Sequence, residues 1–228
     1  MTSSELPTIA ILGGTGKEGP GLALRWAYAG YPIIIGSRQE AKAQATAAEL
    51  NEKLGISSLR GMENGPAARA ADVSVLTVVQ SAHQAALEGL KEDLKAKILV
   101  DATARVDFRN PKPPASPSAG RIAQEILGPE VRVVAAFQNV PAHELKRNLG
   151  EKLDTDVLVC ADDLAAAEEV IRLAEEGGMR AYYAGDLDNA VVVEGITSLL
   201  ISLNKHYGVK TASIGITGIE KRELATRD

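Results

Sequence analysis

The sequence predicts an α/β protein, with a doubly wound, mainly parallel sheet and a small helical part at its C-terminal end. Three observations carry that prediction. Residues 9–24, IAILGGTGKEGPGLAL, read as a buried strand that passes through a glycine cluster into a helix rich in Leu and Ala. Short β-branched runs then alternate with helix-forming stretches as far as about residue 184, as repeated βαβ units do. One of these runs, DVSVLTVV at 72–79, is β-branched and apolar on both faces, as expected of a central parallel strand.

In the first segment Gly14, Gly16 and Gly19 have the spacing G-x-G-x-x-G of a Rossmann-type dinucleotide loop. The first glycine is expected to make the sharp turn. The second lets a pyrophosphate lie against bare backbone, and the third lets helix and strand pack closely. The phosphates then meet free N–H groups at the positive end of the helix dipole. Glycine clusters also end strands for structural reasons alone; here the cluster follows a strand and opens a helix, which favours the nucleotide reading.

The helix is expected to reach about Ala29 and stop at Gly30, with Trp26 inside. A second strand, Ile33–Ile35, ends in Gly36-Ser37-Arg38. Domains that bind NAD place an acid near this point to hold the ribose hydroxyls, whereas an arginine suits a 2′-phosphate. The acid is missing here, so the expected cofactor is NADP(H). Arg38 can grip the phosphate bidentately, Ser37 can add a hydrogen bond, and Lys42, one helical turn on, can add charge.

A helix over 40–54, a β-like piece near Leu59 and a short helix or turn over 64–70 lead to the strand at 72–79. Its end, Thr77-Val78-Val79, is expected beside the cofactor, because ligands of such sheets bind outside the carboxyl ends of the strands. Helix 81–94 and strand 98–101 follow. Residues 102–118 carry Pro111, Pro113, Pro114 and Pro117, so this is a long irregular segment, read as a surface excursion or a cover on the substrate side. Helix 118–127, strand 131–137 and a short helix at 142–148 come next, Pro141 suiting its first turn. Strand 156–160, helix 163–176 and strand 179–184 complete the sheet. A long apolar helix then runs from 188 to about Tyr207, too apolar for a free surface, and is expected to pack on the sheet, on a second subunit, or on both. The expected units are residues 1–184, which bind NADP, and a small helical domain at 185–228.

Bulk properties narrow the function. The chain has 228 residues, enough for a sizeable core, and only 4% aromatics, so aliphatic side chains must fill that core. A net charge of −5 and no basic run interleaved with aromatics argue against a nucleic-acid surface. The start, MTSSELPTIA, lacks the features of a signal peptide, and the most apolar later stretch contains Glu194 and is too short to span a bilayer; the expectation is a soluble, cytoplasmic protein. The single cysteine, Cys160, reads as a small buried hydrophobe, and His83, His143 and His206 lack ligand spacing, so no metal is expected.

Taken together, ILGGTGKEGPGLALRWA, the GSR with Lys42, the ADVSVLTV strand, NVPA, and the segment from DLDNA to GITSLL resemble the NADPH-dependent reductases of the deazaflavin coenzyme F420, from about Ile9 to Gly218. The resemblance implies NADP contacts at Thr15, Gly16, Lys17, Glu18, Ser37, Arg38 and Lys42, with Val78 beside the nicotinamide. It implies that Val140, Pro141, Ala142 and Ile214 surround two stacked ring systems, and that the enzyme passes hydride between NADP(H) and coenzyme F420; the apolar face over 191–203 in turn leads to the expectation of a homodimer. The family commonly has Ile-Pro-Trp where Val78-Val79-Gln80 stands, and its histidine just beyond falls on Ala82. These departures lie on the substrate side.

Hydride transfer between two carriers asks the protein to hold both rings in contact and exclude water, and no acid–base group is assigned. A reductase of a small carbonyl or imine is the alternative, and would need a proton donor such as His83, Asn204 or Lys205. A non-catalytic NADPH-binding protein is the third reading.

Overall fold

The structure, a computed structural model, describes residues 6–219; the outer ends of both expected units, 1–5 and 220–228, lie outside the described residues. In chain order the elements are β1 (Ile9–Leu12), α1 (Gly19–Tyr28), β2 (Ile33–Ser37), α2 (Glu40–Leu54), β3 (Arg60–Glu63), α3 (Asn64–Ala70), β4 (Val73–Leu76) and α4 (Gln80–Leu90). They continue with β5 (Ile98–Asp101), α5 (Ala119–Leu127), β6 (Arg132–Ala135), β7 (Asp156–Ala161), α6 (Leu164–Glu176), β8 (Arg180–Tyr183) and α7 (Ala190–Tyr207). One sheet has the order β3-β2-β1-β4-β5-β6-β7-β8. The first six of these run parallel. Successive strands are added on one side of β1 (β2, β3) and then on the other (β4 to β6), which puts the topological switch point between β1 and β4.

Alternation along each strand builds two cores. Ile9 and Ile11 of β1 face one side with Leu22 and Trp26 of α1, Ala43 and Leu50 of α2, and Val170 and Leu173 of α6. Ala10 and Leu12 face the other with Ala67 of α3, Leu87 of α4, Ala123 of α5, and Ala190 and Val193 of α7. Trp26 is fully buried, donates through Nε1 to Leu173 O at 2.7 Å and meets Phe137 edge-on at 5.7 Å. The helices begin and end on their own sequence signals. Ser118 and Asp163 accept from the N–H groups of Arg121 and Ala166, each cap contributing about 1 kcal/mol, and Gly55 and Gly208 end α2 and α7 in left-handed backbone.

Three expectations need correction. β4 stops at Leu76, where the ladder to β1 ends with Thr77 N–H donating to Leu12 O at 2.9 Å. The helix expected over 142–148 shrinks to a 3-10 turn at Glu144–Lys146. Leu145 is pressed against α1, where a Cβ on Gly21 would come within 2.6 Å of it, and the Arg25 guanidinium takes the carbonyls of Leu145 and Arg147. With no helix to carry the chain across a face of the sheet, it re-enters from the edge where β6 left. β7 therefore pairs antiparallel with β6, and the closing β7-α6-β8 unit, although internally parallel, runs against the rest.

Among the described residues no helix is long and apolar enough to cross a membrane. The thiol of Cys160 is buried, and burial together with the charge of Asp186 pushes it up to about 12, so it is an unreactive core group.

Candidate functional site

The glycine loop lies at the switch point. The left-handed residue of its turn is Gly13, at φ 73°, and not Gly14 as the motif suggests. Gly14 is required for closeness, because a Cβ there would sit 2.6 Å from Ile11 O. Gly19 is needed for the same reason: its Cβ would meet Gly14 Cα at 2.7 Å and Thr77 Oγ1 at 2.9 Å, so α1, β1 and the end of β4 converge on it. Gly16 differs. Its nearest protein atoms would be 3.7 Å and 3.9 Å from a Cβ, so the fold does not need a glycine there, although a ligand pressed on the backbone would. Among the described residues the N–H groups of Thr15, Lys17 and Glu18 have no protein acceptor. Bare backbone, free donors and a helix N-terminus are together the chemistry of a diphosphate cradle.

Asn64 braces this cradle. Its Oδ1 accepts from Gly13 N at 3.1 Å, and a Cβ on Gly36 would come within 2.8 Å of the same atom, which ties the turns after β1, β2 and β3 together. At the end of β2, Ser37 is buried and its Oγ accepts from Gln39 N at 3.2 Å. Arg38 and Lys42 are exposed, and neither forms an ion pair among the described residues.

Glu18, just before α1, is partly buried, with Oε1 enclosed and without a partner among the described residues, and burial pushes its carboxyl up to about 8. At the end of β4, Thr77 Oγ1 donates to Leu12 O at 3.3 Å, Val78 is half-buried against Gly13, and Val79 is 66% exposed. The structure thus brings Gly14, Thr15, Gly16, Lys17, Glu18, Thr77 and Val78 to one place, with Ser37, Arg38 and Lys42 at the adjoining strand end. Val140, Pro141 and Ala142 follow β6 at the same edge of the sheet. Ile214 reaches that edge through the tail, where its carbonyl accepts from Asp156 N at 3.0 Å. A cavity of about 290 Å³ opens between Pro141, Thr155, Thr211 and Ser213.

The proline-rich segment is fastened to Glu194. This carboxylate of α7 is fully buried and accepts from Arg105 N at 3.0 Å and Ala119 N at 2.7 Å, one contact at each end of the proline-rich segment. Between them, Ser198 Oγ donates to Lys112 O and Lys205 Nζ to Arg109 O, both along α7. Burial raises the Glu194 pKa, with the charge of Asp101 adding to it, against the two N–H groups and the charge of Arg105. Beneath the segment, His83 Nε2 lies 2.6 Å from Asp101 Oδ2, both buried, and Asp101 Oδ1 accepts from Thr103 N. Burial disfavours charge on the His83 ring, but the hydrogen bond and charge of Asp101, with Glu194, outweigh it, and the net direction is upward.

A family model described as NADP oxidoreductase, coenzyme F420-dependent, matches residues 8–105. Beyond that segment, the F420-dependent NADP reductase of Methanothermobacter thermautotrophicus is 40% identical over 94% of this chain and 97% of its own length. That of Methanocaldococcus jannaschii is 41% identical over 93% and 99%. This chain belongs to the F420-dependent NADP reductase family. A crystal structure from Arthrobacter sp. FB24, described as a candidate F420-dependent NADP reductase, superposes with a TM-score of 0.78 at 28% identity, covering 93% of this chain and 100% of that one. Pyrroline carboxylate reductase from Plasmodium falciparum, at TM-score 0.59 and 16% identity over 89% and 68%, shares the fold alone.

Within this family fold, sequence reasoning missed three residues that organise the site. Asn64 was legible only as a helix start. Asp101 lies 18 positions from His83, and only the β4–β5 pairing brings the two together. Glu194 did leave a signal: a single acid within the apolar run 191–203 must have partners, and the structure supplies them.

Proposed function

We infer that this protein transfers hydride between NADP(H) and coenzyme F420, the pair named for its relatives at 40% identity along nearly the whole chain. The observation that carries the cofactor half is the cradle, where bare backbone at Gly16 and free N–H groups at Thr15, Lys17 and Glu18 suit a diphosphate. In this reading Gly14 to Glu18 hold the diphosphate, and Ser37, Arg38 and Lys42 take the 2′-phosphate. Thr77 and Val78 wall the nicotinamide, and Val140, Pro141, Ala142 and Ile214 wall the deazaflavin. By strand spacing the ends of β4 and β6 lie roughly 10 Å apart. Two stacked rings in contact with each other and with both walls need about that width.

When bound, NADPH supplies the hydride that the deazaflavin accepts. The chain's own contribution is alignment and exclusion of water: apolar Val78, Val140 and Pro141 line the walls, and the proline-rich segment, fastened at both ends to Glu194, covers the substrate side. The three side chains that a carbonyl or imine reductase could use as proton donors have partners within the chain, although Asn204 is held only through its accepting oxygen. Lys205 holds Arg109 O, Asn204 Oδ1 accepts from Ala212 N, and His83 is buried on Asp101.

We propose further that residues 1–184 are the NADP-binding unit and 185–228 the helical unit that closes the site, that the protein is a homodimer through α7, and that it works in the cytoplasm, in keeping with its single unpaired cysteine. The deciding experiment mixes the protein with NADPH carrying deuterium on one face and with coenzyme F420, a flavin and a panel of small ketones and imines. Label should reach the deazaflavin without exchange with solvent. Rapid reduction of a ketone or imine with none of the deazaflavin would defeat the assignment.

A further inference from the structure

Because β7 is antiparallel to β6, its first residue and not its last lies at the ligand edge of the sheet, so Asp156 stands beside the turn that leaves β6. Its side chain is fully enclosed, and a carboxylate so placed is costly unless charge and hydrogen bonds compensate it. Both oxygens have a partner. Oδ1 accepts at 2.6 Å from Nε of Arg180, its register partner on β8. Oδ2 accepts at 2.5 Å from the N–H of Ile216, in the tail that follows α7. The backbone of Asp156 reaches the same two places. Its N–H donates to Ile214 O at 3.0 Å, and its carbonyl accepts from Nδ2 of buried Asn139 at 2.7 Å. One residue therefore ties the tail to the turn at 138–142.

Packing does little to hold the tail there, since Ile214 and Ile216 are half-buried and join neither core. Hydrogen bonds do more: besides the two from Asp156, Ser213 Oγ donates to Asp154 O at 2.8 Å. Gly215 crosses the ion pair at contact distance, where a Cβ would lie 3.5 Å from Arg180 Nη2 and 4.0 Å from Asp156 Oδ2. The cavity of about 290 Å³ opens between the two segments so joined, with Pro141 on one side and Thr211 and Ser213 on the other. Strand β7 needs no acid at its first position for its own sake, because an apolar residue would continue the buried run that follows. The second oxygen serves the tail.

We propose that Asp156 is a positioning residue for the deazaflavin half of the site: by latching Ile216 while its backbone holds Ile214 and Asn139, it sets the gap between Pro141 and the tail in which the second ring is received. This inference rests on the reading of Val140, Pro141, Ala142 and Ile214 as the deazaflavin wall. Asp156 touches neither cofactor and takes no part in holding NADP(H), because the glycine loop follows β1, which β4, β5 and β6 separate from β7.

The test breaks the latch from the tail side, where the core is untouched. Ile216→Pro removes the N–H that Oδ2 accepts, whereas Ile216→Ala keeps that N–H and shortens the side chain. KM for coenzyme F420 and for NADPH, kcat and melting temperature are measured for both, for Asp156→Ala, and for Asp156→Ala combined with Ile216→Pro. Ile216→Pro should raise KM for coenzyme F420 on the order of tenfold, as loss of a hydrogen bond to a charged group does, with KM for NADPH and the melting temperature close to wild type. Ile216→Ala should stay within about twofold of wild type for both substrates. Asp156→Ala should raise KM for coenzyme F420 as Ile216→Pro does, and the double variant should be no worse than the worse single one, because both remove the same contact. An unchanged KM for coenzyme F420 in Ile216→Pro, an equal rise for NADPH, or an Ile216→Ala variant as impaired as Ile216→Pro overturns the proposal and leaves the F420 reading intact. A wild-type protein that reduces a ketone or imine but not coenzyme F420 overturns the reading of the wall, and this inference with it.

Discussion

Arg38 and Lys42 point into solvent with no acidic partner among the described residues, and that is what makes them informative. In the NADP reading both charges are therefore free to meet the 2′-phosphate. A charge-assisted contact contributes roughly 1.5–3 kcal/mol, or about 10- to 150-fold in affinity. Arg38→Ala should therefore weaken NADPH binding by that factor and leave NADH binding nearly unchanged, as read by parallel titrations with the two cofactors. Equal losses would mean that Arg38 serves the shared part of the dinucleotide instead. The residues that carry this argument were readable from the sequence because their meaning is local: Ser37 and Arg38 stand where an acid was expected, directly after a strand. The His83–Asp101 pair was unreadable for the converse reason, since nothing in either neighbourhood announces the other.

At the scale of elements, β1, α1 and β2 could be read within a residue or two, because buried strand, glycine turn and helix each leave a short-range pattern. The direction of β7 could not. It depends on whether 142–148 forms a helix, and that is decided by Arg25, more than a hundred positions earlier, taking carbonyls from the segment. The proline-rich segment was legible as irregular but not as docked, since its anchor Glu194 belongs to the last helix. Two N–H groups, the buried one of Ala119 and the part-buried one of Arg105, converge on that one carboxylate, which an amide cannot serve equally, because its NH₂ end donates. Leaving one buried N–H unsatisfied costs about 1–3 kcal/mol. For a chain of this size that lowers the melting temperature by roughly 2–12 °C. Glu194→Gln should show that loss in calorimetry, with faster proteolysis within 102–118. An unchanged melting temperature would mean that the segment is held mainly by Ser198 and Lys205.

For the whole molecule the open question is the outer face of α7. Its inner face is settled: Ala190 and Val193 are part of the core under the sheet. On the other side Val192, Leu199, Leu203 and Tyr207 are exposed at intervals of seven, four and four residues, which places them on one stripe. Val209 and Ile219 extend the exposed apolar surface beyond the helix end. Scattered apolar residues need no explanation, but a continuous stripe on the last helix is expensive to leave in water at about 25 cal/mol per Å². A second copy of the chain is the partner that conceals it with least further assumption, because a helix crossing its own copy about a two-fold axis buries the same residues twice. The protein should accordingly scatter light as a dimer at micromolar concentration. Leu199→Glu sets two carboxylates against each other across the axis and should shift the mass toward the monomer. NADPH affinity should persist in that variant, because the glycine loop belongs to β1 and α1 and takes nothing from the stripe. A wild-type protein that is monomeric at micromolar concentration would remove the dimer and leave the stripe without its proposed cover.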